Sequence, residues 1–449
     1  MSDTTTELAP ADHAAPDTAD EPALLAWLAR MRDESPVWRD RFGMYHLFRH
    51  ADVHAALRDP ATFSSDTGRL APATRKVNRG MLTQLDPPEH RRMRAVVSSA
   101  FTPKRVAALE PRIRAITHSL LDDLAESARR SGAGPSDREA GAAEEFDLVD
   151  ALAFPLPVTV IAEMLGLPAS DHATFRGWAD RLFSMQVDDP TDPELGPRVD
   201  AAMADIRAYL VAAVQERRAA VADGTAGDDL ITALVAAEVV TDGSPVTLDD
   251  EEAANFSLLL LLAGHITTTV LLGNAVRTFA DHPLPDGRDP WTVLAEDPTT
   301  IPAALEEVLR LRSPFTQTGR VTTRPVEVAG VTIPADRFVL PSLLSANHDE
   351  RAFADPEAFV LDRGIGRPGH GACGAATGGA AQTAFGHGVH FCLGAPLARL
   401  EGRVALEELT ARYAALAPAA HTADALRPYP RGVLGVRNLP VRGTPRHQG

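Results

Sequence analysis

Cysteine is nearly absent from this chain. Two thiols in 449 residues exclude a disulfide framework and suit a reducing compartment, so a cytoplasmic protein is expected. Positive charge is also short: 44 Lys and Arg against 61 Asp and Glu leave a formal charge of -17. An acidic surface repels nucleic acid, and no basic run or aromatic platform offsets it. The opening stretch MSDTTTELAPADHAAPDTADEP lacks both a basic n-region and an apolar h-region, so no signal peptide is expected there. Residues 1–21 read as a disordered tail. Length alone suggests two or three domains, an expectation weakened by the lack of a clear Pro/Ser linker in the middle of the chain.

One long run lacks charge altogether. From Ala253 to Val276, AANFSLLLLLAGHITTTVLLGNAV is formally neutral, long enough to cross a bilayer. Asn255, Ser257, His265, Thr267, Thr268, Thr269 and Asn274 punctuate it, and Gly264 and His265 fall near its middle, where polar groups are costly in lipid. A helix apolar nearly all round fits the central helix of a large core better, and no membrane span is expected. Thr247, followed by Asp249, Asp250, Glu251 and Glu252, supplies a cap and the acids that suit the positive end of a helix dipole.

Apolar residues make up 45 % of the chain, enough for a substantial core. Spacings of three and four predict helices over 22–32, 51–59, about 104–128, 146–165, 199–222 and 228–239, in IPAALEEVLRL, and from about Pro396 to Leu416. Another helix starts at the proline pair of LDPPEHRRMRAVVSSAF. GMYHLF and RPVEVAGVTIPADRFVLP predict short strands. Residues 129–145 read as a solvated insertion and 364–383, which holds Cys373, as a Gly-rich loop. The fold class is mainly α with a minor β region.

The other cysteine, Cys392, lies in FGHGVHFCLG, Phe385 to Gly394, just before the last helix. A helix N-terminus stabilises an anion and lowers a thiol pKa. Gly386, Gly388 and Gly394 let the backbone turn tightly and approach something large and flat. Three readings stand on the loop alone. The commonest fate of a single cysteine is a buried structural thiol. A nucleophile using His390 as base suffers from an i, i+2 pair pointing to opposite sides. The third is one axial thiolate to haem iron. No Cys/His spacing supports tetrahedral zinc or covalent haem attachment.

Three motifs in order decide between them. FGHGVHFCLG resembles the haem-binding loop of the cytochrome P-450 family, the haem-thiolate monooxygenases. Glu307 and Arg310 in EEVLR resemble its E-x-x-R pair, and LLAGHITTT resembles the oxygen-binding stretch of its long central helix. The resemblance runs from about residue 22 to the end and implies a single catalytic domain over 22–449. It implies haem b between the central helix and the Cys helix, with Cys392 as the metal ligand and Phe385, Gly386 and Gly394 around it. A thiolate ligand pushes electron density onto iron. His90, Arg94, Arg320 and His390 match contacts to the two propionates, and arginine suits carboxylates through bidentate bonds. Glu307 and Arg310, joined by Arg363, resemble a structural ion-pair network. Ala263 and Gly264 leave room for dioxygen. Thr267, with Thr268 beside it, matches the threonine that helps deliver protons, whereas Thr269 reads as a helix threonine bonded back to a carbonyl.

The chain departs from the pattern of the family it resembles at Ile266, where an Asp or Glu is usual. Water held by Thr267, Thr268 and His265, a substrate hydroxyl, or a reaction less dependent on a relay would each account for it. The resemblance implies a ferredoxin and its reductase as partners, and a monomer. Arg91, Arg92, Arg399 and Arg403 form a candidate docking patch. Met81, Leu82, Phe183, Met185 and Phe315 form an apolar candidate pocket, suiting a polyketide or macrolide. The function expected is monooxygenation of such a molecule. The alternatives are a peroxide-driven or oxidative-coupling haem enzyme, or a non-catalytic haem or ligand binder.

Overall fold

The computed structural model describes residues 15–70, 79–130, 143–171, 174–175, 177–178, 195–241, 243–361, 363, 380–420, 426–429 and 432–446. Cys373, Phe183 and Met185, most of the 129–145 insertion and residues 1–14 of the expected tail lie outside the described residues.

Helices dominate and a smaller β region flanks them, the class the sequence predicts. The central helix, Asp250–Asp281, has 32 residues. Its cap is Asp249 rather than Thr247. Asp249 Oδ1 accepts the Glu252 N–H at 2.9 Å, and Glu252 Oε2 accepts the Asp249 N–H at 3.2 Å. This reciprocal pair satisfies two of the N–H groups that a helix start leaves unbonded. By length and composition the helix could cross a membrane, yet 67 % of its most apolar window is buried inside the protein. It packs against Leu195–Ala222, Pro155–Met164, Ala395–Arg412 and Ile301–Leu311, and these neighbours cover its Leu-rich flanks. Asn274 fastens it further, donating to the Leu434 carbonyl at 2.8 Å and the Arg312 carbonyl at 3.1 Å.

Three helical stretches end or break differently from their apolar pattern. The 104–128 stretch splits into Pro103–Ala108 and Glu110–Arg130, because Pro111 has no N–H to continue the ladder. The 146–165 stretch becomes strand Glu144–Asp147, a π-turn at Val149–Ala153 and helix Pro155–Met164, with Pro155 placed where a helix start tolerates it. The last helix runs Ala395–Arg412, and Tyr413–Pro418 is a strand paired with Pro440–Pro445. The Ala- and Leu-rich segment could extend the helix by propensity, but strand pairing and the Tyr413 hydroxyl bond to Glu144 at 2.6 Å override it.

The main sheet orders Val37–Arg39, Tyr45–Leu47, Phe338–Pro341, Arg320–Thr322 and Phe63–Ser64. Strand Arg320–Thr322 is antiparallel to both neighbours, with Val339 opposite Arg320. That register holds Arg320 6 % exposed at the start of its strand.

Behind the Cys helix, Ile301–Leu311 carries a dense charged network. Arg310 donates to both Glu307 oxygens, at 2.8 and 3.0 Å, with the side chains 0 % and 1 % exposed. Arg363 Nε and the Val360 N–H also donate to Glu307, each within 3.1 Å. The remaining Arg310 hydrogens go to the carbonyls of Asn347, Pro356 and Ala358. Such a pair adds little over an apolar isostere, but removing one member strands a buried charge. Arg310→Leu is expected to cost about 3–5 kcal/mol in urea unfolding and to impair prosthetic-group retention. A cost below about 1 kcal/mol, the range of exposed pairs, would contradict this.

Candidate active site

The Cys loop is shaped by two glycines. Gly386 and Gly388 have φ of +69° and +72°, a region that side chains avoid. A Cβ on Gly388 would also stand 2.6 Å from the Leu57 carbonyl oxygen, so the loop lies directly on helix His50–Arg58. Gly394 differs from the sequence reading: its φ of -78° is ordinary, and it serves as the N-cap of the Cys helix. The Cys392 N–H closes the loop onto the Phe385 carbonyl at 2.9 Å.

The Cys392 sulfur opens on a cavity of about 480 Å³, within the range of small-molecule and cofactor sites. The sulfur lies deep in the protein but is accessible from that cavity. Burial pushes the thiol pKa up. The N–H groups of Gly394 and Ala395, with Arg94 and Arg399, oppose it. His390 is not its base. His390 Nε2 bonds to Ser65 Oγ at 3.0 Å, and its ring lies 4.3 Å from that of His90.

Of the expected site residues, Cys392, Phe385, Gly386, Gly394, Arg94, Arg320, His390, Ala263, Gly264, Thr267 and Thr268 line this one cavity. His90 stands behind His390. Glu307 and Arg310 lie outside the lining. Leu82 and Phe315 line it and Met81 does not. The rest of the wall is largely aliphatic and aromatic, including Phe101, Ile161, Phe256 and Leu343.

The charges are unbalanced. Among the described residues, neither Arg94 nor Arg320 forms an ion pair with a carboxylate. Burial lowers the pKa of both, Arg320 to about 10. Arg320 otherwise donates to its own neighbours, the Gly319 carbonyl at 2.7 Å and Thr318 Oγ1 at 3.3 Å. His90 Nε2 is buried with no hydrogen-bond partner. Burial and Arg94 lower His90 to about 4. Burial, then His90, Arg320 and Arg94, lower His390 to about 3. Buried cations without partners are costly. Two guanidiniums and the His390 imidazole at a cavity with a thiol on its wall, backed by His90, therefore fit a large dianionic group with a metal centre. The residues fit haem.

The central helix presents Ala263, Gly264, Thr267 and Thr268 to the cavity. Thr267 Oγ1 donates back to the Ala263 carbonyl at 2.8 Å, as Thr269 does to His265. Thr268 shares the cavity wall with a residue the sequence reading did not single out, Glu401 of the Cys helix. Two other expectations need correction. Ile266 packs with Val270, Tyr429 and Val433 and does not line the cavity. His265 is also turned away: Nδ1 bonds the Leu261 carbonyl at 2.6 Å, and the ring meets Phe154 edge-on. Burial lowers His265 to about 4, so it is neutral at pH 7, and it does not line the cavity.

The docking patch is largely neutralised. Arg399 pairs with Glu306, Arg403 with Glu110 and Glu407, and Arg92 with Glu252. Arg399 also covers the Phe385 ring at 4.5 Å, anchoring the Cys loop.

Comparison with known proteins gives one family. The cytochrome P-450 family model matches residues 31–284 and 297–427. The chain is 53 % identical over 426 residues to an erythromycin C-12 hydroxylase of Saccharopolyspora erythraea, covering 95 % of this chain and 96 % of that one. It is 39 % identical over 398 residues to a cyclomarin C epoxidase of Salinispora arenicola, covering 87 % and 89 %. The solved structure of a mutant of P-450 EryK in complex with erythromycin B is 52 % identical with a TM-score of 0.80, covering 97 % and 100 %.

Arg320 gives a direct test of the charge imbalance. Its lowered pKa means that the fold without haem disfavours the cation. Arg320→Leu is expected to raise the urea midpoint of the haem-free protein and to weaken haem retention by roughly tenfold or more, the equivalent of one charge-assisted hydrogen bond. Unchanged haem retention would contradict the assignment.

Proposed function

The chain belongs to the cytochrome P-450 family, and from that premise we propose that it hydroxylates a large, mostly apolar secondary metabolite of the macrolide type. It is a cytochrome P-450 monooxygenase by family, which takes electrons from a redox partner and binds a small molecule. The observation that carries the finer reading is the cavity: one sulfur, two guanidiniums without a carboxylate ion pair among the described residues, small residues on the central helix and an otherwise apolar wall. A relative 53 % identical over nearly the whole chain is named for hydroxylating erythromycin at C-12, and a neighbouring structure holds erythromycin B.

In this reading the prosthetic group is haem b. Cys392 would be its ligand through the sulfur, with the Gly394 and Ala395 N–H groups and Arg94 offsetting part of the burial cost of the anion that metal ligation demands. Arg94, Arg320, His90 and His390 bind the two carboxylates, and their positive forms become favourable once those charges arrive. When bound, the haem iron supplies dioxygen activation and oxygen-atom transfer. Ala263 and Gly264 leave space on the central helix, and a Cβ at 264 would already touch Ile161 Cδ1 at 3.5 Å. Leu82, Phe101, Phe256 and Phe315 exclude water and orient the substrate by contact. Thr267 and Thr268 carry the hydroxyls from which a proton can enter the cavity. Phe385, clamped by Arg399, and Gly386 hold the loop geometry.

Residues 22–449 form one catalytic unit, a cytoplasmic monomer that takes its electrons from ferredoxin through a ferredoxin reductase. The ferredoxin docks on the Cys-loop side. The ion pairs there predict a modest salt dependence rather than a steep one.

Titration of the purified enzyme with macrolides tests the substrate class. An erythromycin-type macrolide is expected to shift the haem spin state. With a ferredoxin, its reductase and a nicotinamide reductant, it is expected to yield a product heavier by one oxygen atom. Failure of every macrolide, with turnover of small terpenes or fatty acids instead, would contradict it.

A further inference from the structure

One piece of the cavity wall hangs on a single short turn. Leu82 and Thr83 line the cavity from the turn Leu82–Gln84. Just before it, the chain is fastened to the start of the central helix. Asn255 Nδ2 donates to the Arg79 carbonyl at 2.6 Å. The Arg79 guanidinium reaches Asp249 and also Glu251, the latter at 3.4 Å. Gly80 has a φ of +80° and lies flat on the helix. A Cβ there would stand 2.8 Å from Glu252 Cα and 3.3 Å from Asn255 Cβ, so only glycine lets the chain come this close. At its other end the turn is tied by Thr67 Oγ1, which donates to Gln84 Oε1 at 2.6 Å.

Asn255 is 3 % exposed and does not line the cavity. Its Oδ1 is buried and, among the described residues, has no hydrogen-bond partner. An acceptor buried unpaired costs at least what one ordinary hydrogen bond returns. On stability alone, an apolar side chain of the same shape would serve as well. The Nδ2 bond is therefore positional: it sets where the 79–84 chain lies on the helix rather than how tightly the protein folds. The ion pairs of Arg79 are exposed, and such pairs add little. The buried Asn255 bond and the Gly80 contact carry the placement.

We propose that Asn255 is a positioning residue for the substrate. By holding the Arg79 carbonyl it fixes the Leu82–Thr83 wall relative to the Ala263–Thr268 stretch of the same helix, and so decides which carbon of a large substrate is presented for oxidation. The inference rests on the monooxygenase reading. Asn255 and Ala263 stand on one rigid helix, about two turns apart, so one element references both the wall and the reacting end of the cavity. A large substrate is aimed by its contact with the wall, and a displacement of about 1 Å is enough to spoil a reactive alignment. A small ligand that reaches the iron without touching the wall meets no such constraint. Asn255 acts through the 79–84 segment and touches neither substrate nor prosthetic group.

Two variants release the segment by unrelated means. Asn255→Leu removes the donor and keeps the shape, whereas Gly80→Ala pushes the chain off the helix. Hydrogen–deuterium exchange of the haem-bound enzyme reads the first step without turnover. The 79–85 amides are expected to exchange about five- to tenfold faster in both variants, the weight of one hydrogen bond, with the Ala263–Thr268 stretch unchanged. Haem retention, the carbon monoxide spectrum and imidazole affinity are expected to stay native. An erythromycin-type macrolide is expected to bind about five- to tenfold more weakly by spin-state titration, and its singly oxygenated product to spread over more than one isomer. Native macrolide affinity and a native product pattern in both variants would overturn the proposal, as would unchanged exchange at 79–85. Loss of haem or of imidazole binding in step with macrolide binding would also overturn it, since that marks a general structural role. If the native enzyme binds no macrolide, the proposed function fails instead, and exchange at 79–85 still decides whether Asn255 holds that segment.

Discussion

A buried sulfur at the start of a helix is the constraint around which this molecule is arranged. Burial alone would keep Cys392 protonated. The Gly394 and Ala395 N–H groups, Arg94 and Arg399 offset part of that cost, using the partial positive charge of a helix N-terminus. To present the sulfur to a cavity, the loop must turn through Gly386 and Gly388, and it can do so only where it lies against Leu57. The Cys helix must also be held against the central helix, which brings the sulfur and the Ala263–Gly264 stretch to the same cavity.

The rest of the scaffold answers that demand. The Glu307–Arg310–Arg363 network ties helix Ile301–Leu311 to the chain at 354–363. Asn347 links the same region to the Cys loop by accepting the Thr383 N–H at 2.7 Å and donating to Ser313 at 2.9 Å. This hydrogen-bonded frame carries the mechanical load, and the apolar cluster around the central helix carries most of the burial. The cavity itself is left electrically incomplete, with two guanidiniums that no carboxylate of the described residues meets in an ion pair, Asp86 acting on Arg320 only from a distance. That incompleteness destabilises the haem-free fold and makes the site selective for an anionic prosthetic group.

Much of this was legible because its chemistry is local. Cys392 among glycines, the i, i+3 spacing of Glu307 and Arg310 and the acid-rich start of the central helix are all short-range patterns. What escaped depends on partners far away in the chain. The helix end at Arg412 is set by pairing with Pro440–Pro445, which an Ala-rich segment does not announce. The four-arginine patch read as free charge because Glu110, Glu252 and Glu306 are distant in sequence from the arginines they neutralise. Ile266 read as a broken relay on sequence position alone, and its packing against Tyr429 shows that the position faces elsewhere. Glu401 did leave a signal. It follows Leu400 and stands four residues after Leu397, an acid on the apolar stripe of a helix, where a charge belongs only if it is paired or protonated.

The most direct test of the account is the carbon monoxide difference spectrum of the purified, dithionite-reduced protein. Ligation of iron by an ionised Cys392 predicts a strongly red-shifted Soret band, lost in Cys392→Ser. A haem spectrum without that shift would mean that the sulfur is protonated or displaced, and would contradict the account. Failure of the protein to take up haem at all would contradict it more completely, leaving Arg94 and Arg320 without the anion that their burial demands.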